Sequence, residues 1–145
     1  MTKRRRPRSL VLIALSVALS LALAGPALAG GGLRYHGHVR EQADASVRMK
    51  LVNTSAGGEF VKPYVFKDVR MTCALGPHHL VISKFKFGRI PVADDAFNAH
   101  KHPSDVNAAV DGHLIRHGKA KGRLRVIEDA AGCDSGVLHW HAHTG

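Results

Sequence analysis

Period-two alternation of apolar and polar residues runs through most of the chain after about residue 32. In LRYHGHV, Leu33, Tyr35, Gly37 and Val39 share one side, and His36 and His38 the other. SVRMKLV sets Val47, Met49 and Leu51 against Arg48 and Lys50. HLVISKFKFGRI sets Val81, Ser83, Phe85 and Phe87 against Ile82, Lys84 and Lys86. LHWHAH sets Leu138, Trp140 and Ala142 against His139, His141 and His143. Side chains two apart on a strand project to the same face, so these segments predict half-buried β-strands. No window sustains apolar residues at i, i+3, i+4 and i+7, so no helix is expected.

The breaks in the alternation predict the turns. FVKPYVFKDVRMTCAL is long for one strand, and continuing its pattern would bring Lys67 onto the face of Val69, Met71 and Cys73. A bulge or bend near Lys67–Asp68 resolves this, and Pro63 favours an edge or a strand start. Gly57–Gly58 marks a turn. PVADDAFNAH is irregular, and KHPSD is a turn-rich loop. VNAAVDGHLIRHGKAKGRLRVIED reads as a hairpin about His117–Gly118, with Leu114, Leu124 and Val126 inward and Arg123 and Arg125 outward. Seven to nine short strands result, and the expected fold is all-β: a single antiparallel β-sandwich, jelly-roll-like, with one disulfide.

The first 29 residues have a different character. MTKRRRPRS is basic, LVLIALSVALSLALA is apolar, and Ala27 and Ala29 stand where small residues precede a signal-peptidase cut. The apolar run is shorter than the roughly 20 residues that span a bilayer. Residues 1–29 are therefore read as a cleaved signal peptide and 30–145 as one secreted β domain, with no transmembrane helix in the mature chain. The leader takes five of the 21 Lys+Arg with it, leaving 16 against 11 Asp+Glu. That mild excess fits a soluble surface with some affinity for polyanions, rather than a dedicated nucleic-acid binder. Two cysteines, Cys73 and Cys133, in an exported chain point to a disulfide. Two free thiols or a cysteine-containing metal site are the alternatives, though neither cysteine has a C-x-x-C spacing.

The segments YHGHV, VRMTCALG, VDGHL, AKGRLRV and GCDSGVLHWHA, in this order, resemble small secreted, mostly actinobacterial β-sandwich proteins with a C-x-S-G…W-x-A final strand. The resemblance implies the fold, the compartment and a Cys73–Cys133 disulfide. It implies no catalytic residue and gives the histidines no role.

All 11 histidines lie beyond the leader. His-x-His on a strand puts two imidazoles on one face, within reach of a single ion. If the first and last strands pair, His36 and His38 join His139, His141 and His143 in one patch suited to Zn²⁺ or Cu²⁺. The competing reading is a solvated, pH-tunable surface. A second candidate is a basic sheet face built from Arg48, Lys50, Lys84, Lys86, Arg123 and Arg125, to which Lys119 and Lys121 also contribute. Its partner would be an anionic envelope polymer. Catalysis finds little support. Ser135 in GCDSG is misplaced for a nucleophile elbow, and Asp94–Asp95 reads as a solvated loop. A metal-dependent hydrolase using three histidines and an open water position is the remaining alternative. The expected function is thus a non-enzymatic exported binding module.

Overall fold

The computed structural model describes residues 32–75 and 78–145; the leader expected over 1–29 lies outside them. Every regular element among the described residues is a β-strand. In order they are β1 (Leu33–Val39), β2 (Gln42–Asn53), β3 (Glu59–Lys67), β4 (Val69–Cys73), β5 (His79–Ile82), β6 (Phe85–Phe87), β7 (Ile90–Val92), β8 (Ala96–Lys101), β9 (Val106–Ile115), β10 (Lys119–Glu128), β11 (Cys133–Asp134) and β12 (Leu138–Thr144). All pairings are antiparallel. No helix among the described residues is long and apolar enough to cross a membrane.

The alternation in sequence becomes an inside and an outside. Tyr35 and Val39 of β1, Val47, Met49 and Leu51 of β2, and Leu138, Trp140 and Ala142 of β12 are buried, while His36, His38, Arg48, His139 and His141 between them are exposed. Two meanders, β1–β2–β3 and β8–β9–β10, are joined by β12, which lies between β10 and β1. Beyond β3 come β6 and β7, and β7 returns into β8 through Asp94–Asp95. Ala93 and Ala96 exchange both backbone hydrogen bonds at 2.9 Å across that turn. The sheet therefore curls round until its ends meet, giving a near-barrel whose two walls enclose one core. Closure leaves few strand edges exposed.

Asp94 and Asp95 have φ of 50° and 59°. Two successive left-handed residues in a two-residue loop make a type I′ hairpin turn, and aspartate tolerates that region better than most side chains. The expected bend at Lys67–Asp68 is present: Asp68 has φ 57°, and β4 leaves the barrel wall there for a side ribbon, β5–β4–β11. Gln42 holds that ribbon to β2 by two hydrogen bonds with the Arg70 backbone, at 2.8 and 2.9 Å. Cys73 and Cys133 face each other across β4 and β11 and are joined as the disulfide. Pro63 lies inside β3 rather than at an edge or strand start. It falls between the stretch paired by β7 (Glu59–Val61) and the stretch paired by β6 (Tyr64–Phe66), and the β2 register also shifts there. Its missing N–H thus costs no ladder bond.

One expectation for the 79–90 segment is corrected. Val81 is 50% exposed, whereas Leu80 and Ile82 pack on the core. The run is divided: β5 pairs with β4 in the ribbon and β6 with β3 in the barrel, so the inward face changes between them. Phe85 and Phe87 do point inward.

The barrel interior is aromatic. Tyr64 meets Trp140 and Phe87 edge to face, with centroids 5.6 and 5.8 Å apart, and Phe97 stacks on Trp140 at 6.0 Å. Gly112 stands opposite Gly122, and Gly122 opposite Trp140. A Cβ on either glycine would come within 2.6–2.7 Å of the indole Cζ2. The two missing side chains are the space the indole occupies, and its Nε1–H donates to the Arg123 carbonyl at 3.3 Å.

Candidate functional site

The first and last strands do pair. In the β1–β12 register His36 is opposite His143 and His38 opposite His141. The other side of β12 pairs with β10, placing Lys119 opposite His143, Lys121 opposite His141 and Arg123 opposite His139. Two rows thus cross the outside of the barrel. One runs His113–Lys121–His141–His38–Ser46, the other Lys119–His143–His36–Arg48–Val65–Lys86. No carboxylate stands in either row. Every histidine, lysine and arginine in them is exposed. Neighbours along a row are separated by one strand spacing, about 4.8 Å, and the rows by two residues of rise, about 6.7 Å.

Within this lattice one imidazole pair touches: the His38 and His141 rings lie edge to face with centroids 4.0 Å apart. His139 is engaged elsewhere. Its backbone N–H donates to Glu41 Oε2 at 2.8 Å and its ring Nδ1 lies 2.7 Å from Glu41 Oε1. Partial burial pushes the Glu41 carboxyl upward, but the hydrogen bonds from the His139 backbone and ring outweigh it and hold the group below its usual range. Among the described residues no three His, Cys, Asp or Glu side chains are grouped to hold a metal ion. The five histidines singled out in the sequence therefore share one face, but as a contacting pair, a carboxylate-bound ring and two separate rings.

The basic residues divide by position. Arg123 pairs with Asp111 at 2.9 Å and Arg125 with Asp134 at 2.6 Å. The hydrogen bond from Arg125 is the main cause that holds the Asp134 carboxyl below its usual range. Arg48 and Lys86 lie in the second row, Lys50 sits beside it, and Lys84 lies between β5 and β6. The face is thus polarised. Asp111, Asp134 and Glu41 neutralise the end near Arg123 and Leu138, while the end near Leu33 and the β9–β10 turn is cationic and carries the two rows. A groove of about 430 Å³ spans the junction, lined by Asp111, His113, Lys121, Arg123, His139 and His141 among others.

Sequence reasoning missed three contributors. His113 joins the first row because Ile115 pairs with Lys119 across the β9–β10 turn. The hairpin about His117–Gly118 already fixed that register, so the signal was present. Glu41 lies 98 residues from His139, and Arg34 becomes relevant only through its pairing with β2. Ser135 has a structural place: its Oγ accepts from the Val126 N–H at 2.9 Å and donates to the Gly136 carbonyl at 2.8 Å. Asp134 Oδ1 accepts from the Gly136 N–H at 2.8 Å, completing a turn.

Comparison with known proteins finds no matching family model, no matching curated protein and no matching solved structure.

Proposed function

We propose that this chain is an exported, non-enzymatic binding module that holds phosphate- or sulfate-bearing polymers against the cationic half of its outer sheet face. The observation that carries the reading is the pair of rows in which lysine, arginine and histidine neighbour one another across four strands with no carboxylate between them. Lysines and arginines gathered on one face without counter-charges make a positive field that attracts a polyanion. The strand geometry suits a linear polymer, because a repeat of about 6–7 Å matches every second residue. Export is supported by the leader pattern of residues 1–29 and by the Cys73–Cys133 disulfide, a bond of oxidising compartments. The resemblance to small secreted β-sandwich proteins agrees with both.

The test is retention on immobilised heparin and on long-chain polyphosphate. The full chain should bind at low salt and elute as salt rises, and Lys119→Ser with Lys121→Ser should elute markedly earlier. Equal elution of parent and double variant would remove the reading.

A second reading rests on the contact between His38 and His141. Two imidazoles from adjacent strands provide half of a tetrahedral set, and Cu²⁺ is the divalent ion such a pair favours over Zn²⁺.

A further inference from the structure

At the Leu33 end of the face, β1 and β2 set Arg34 directly opposite Lys50 and His36 directly opposite Arg48. The two pairs are next but one along the strands, so they share the outer side. His143 stands opposite His36 from the other flank. Arg34, His36, Arg48 and Lys50 line a depression of about 290 Å³ whose wall includes Met49 and Pro63, and no carboxylate lines it. The depression arises from the bulges. The β2–β3 register shifts between Met49 and Leu51, and Lys62 and Pro63 drop out of the ladder. Arg34 and Arg48 make no ion pair with any carboxylate among the described residues.

Two guanidinium groups on adjacent strands stand at the wall of this depression, neither with a carboxylate partner among the described residues, and an anion seated there would neutralise both. We infer that this depression is a discrete site for a tetrahedral oxyanion group, phosphate or sulfate. Arg34 and Arg48 are its principal ligands, and His36 is a neighbouring donor. The planar fork of arginine matches the oxygens of such a group and can hold two at once, which lysine cannot do. The inference rests on the polymer reading in one respect: a chain laid along the rows would bring one of its charged groups here. It differs in claiming a saturable site for one group, where the rows supply only diffuse attraction.

The experiment is titration of the full chain with inorganic phosphate, and separately with inorganic sulfate, at low and constant ionic strength, followed by backbone amide shifts. Expected are saturable shifts concentrated at residues 34–36 and 48–50. Affinity should fall at least tenfold in Arg34→Ala and in Arg48→Ala, at least threefold in Arg48→Lys, which keeps the charge and loses the fork, and less than twofold in Arg125→Ala, whose guanidinium is already paired with Asp134. Folding of each variant is checked by its amide spectrum. Non-saturating shifts spread over all basic residues, or equal affinity in the arginine variants, would overturn the site. The two claims separate cleanly. Saturable phosphate binding with salt-insensitive heparin retention keeps the site and removes the polymer. Salt-sensitive retention without saturable phosphate binding keeps the polymer and removes the site.

Discussion

His38 and His141 meet across the β1–β12 pair with their ring centroids 4.0 Å apart and their planes inclined by 73°. These rings come from positions 103 residues apart in sequence, yet they form the one imidazole–imidazole ring contact among the described residues. If the pair ligates Cu²⁺, titration of the full chain reaches an end point near one ion. His38→Ala and His141→Ala should each abolish it, and His100→Ala on β8 should leave it intact. An end point that persists in both single variants removes the two-histidine site.

Polymer binding should show the division of the face in its salt dependence. Each phosphate contact removed lowers the slope of log affinity against log salt by roughly 1. Lys119→Ser and Lys121→Ser should each lower it by about that amount. Arg125→Ser should change it little, because Asp134 already neutralises Arg125. A larger slope change at Arg125 than at Lys121 contradicts the polarised face.

Relief of like-charge pairing should stabilise the free protein. Arg34→Glu places a carboxylate opposite Lys50 and should raise stability by about 0.2–1 kcal/mol, as for opposite-charge cross-strand pairs. The same variant should elute earlier from heparin. Denaturant unfolding measures the first effect, and a lower midpoint than the parent would show that Arg34 is held by contacts that matter more than its repulsion.

The glycines under Trp140 should tolerate nothing larger. In Gly122→Ala the new methyl would stand 2.0 Å from the Asp111 carbonyl oxygen and 2.7 Å from the indole. Overpacking of this kind costs about 1–3 kcal/mol, and more when backbone must move. Near-ultraviolet circular dichroism of the single tryptophan should change with it. Lys121 and Arg123 flank Gly122 on β10, so polymer binding should weaken in the same variant.

Acid should loosen both neutralised corners of the face. The Asp134 and Glu41 carboxyls sit below their usual ranges in the folded chain. A depressed carboxyl contributes stability that is fully present above its unfolded pKa, near 4, and is lost as pH falls through its folded value. The part of the unfolding midpoint that these two carboxyls supply should therefore be constant above about pH 5 and decline below about 4.5. Asp134→Asn should flatten part of that decline; an unchanged acid profile would show that the Arg125 pair adds nothing. Both carboxyls are more than one-third exposed, so salt should reduce the effect.

What the sequence made legible was local. The alternation of His139, Trp140 and His141 correctly separated core from surface, because a half-buried strand leaves a period-two record. The break at Asp68 was legible because Lys67 would otherwise have shared the buried face. The single run from Leu80 to Phe87 was misread where the chain passes from the ribbon to the barrel wall, since alternation records burial but not which strand pairs with which. The same gap hid the chemistry. Glu41 with His139, Arg123 with Asp111 and Arg34 with Lys50 are cross-strand relations set by register. Only in the β9–β10 hairpin, whose turn fixes its own register, was such a relation open to reading from the sequence, and there His113 beside Lys121 was nonetheless missed.

β12 occupies the middle of the sheet, between β10 and β1, although it follows every other strand in the chain. For a polypeptide made from its N-terminus, the wall cannot close until residues 138–144 have emerged. Until then, the β1 and β10 edges that β12 joins have no partner on that side. Contacts joining residues about a hundred positions apart are slow to form. The strand that carries three of the histidines is therefore also the latch of the fold, so the cationic face comes into existence in the same event that completes the barrel.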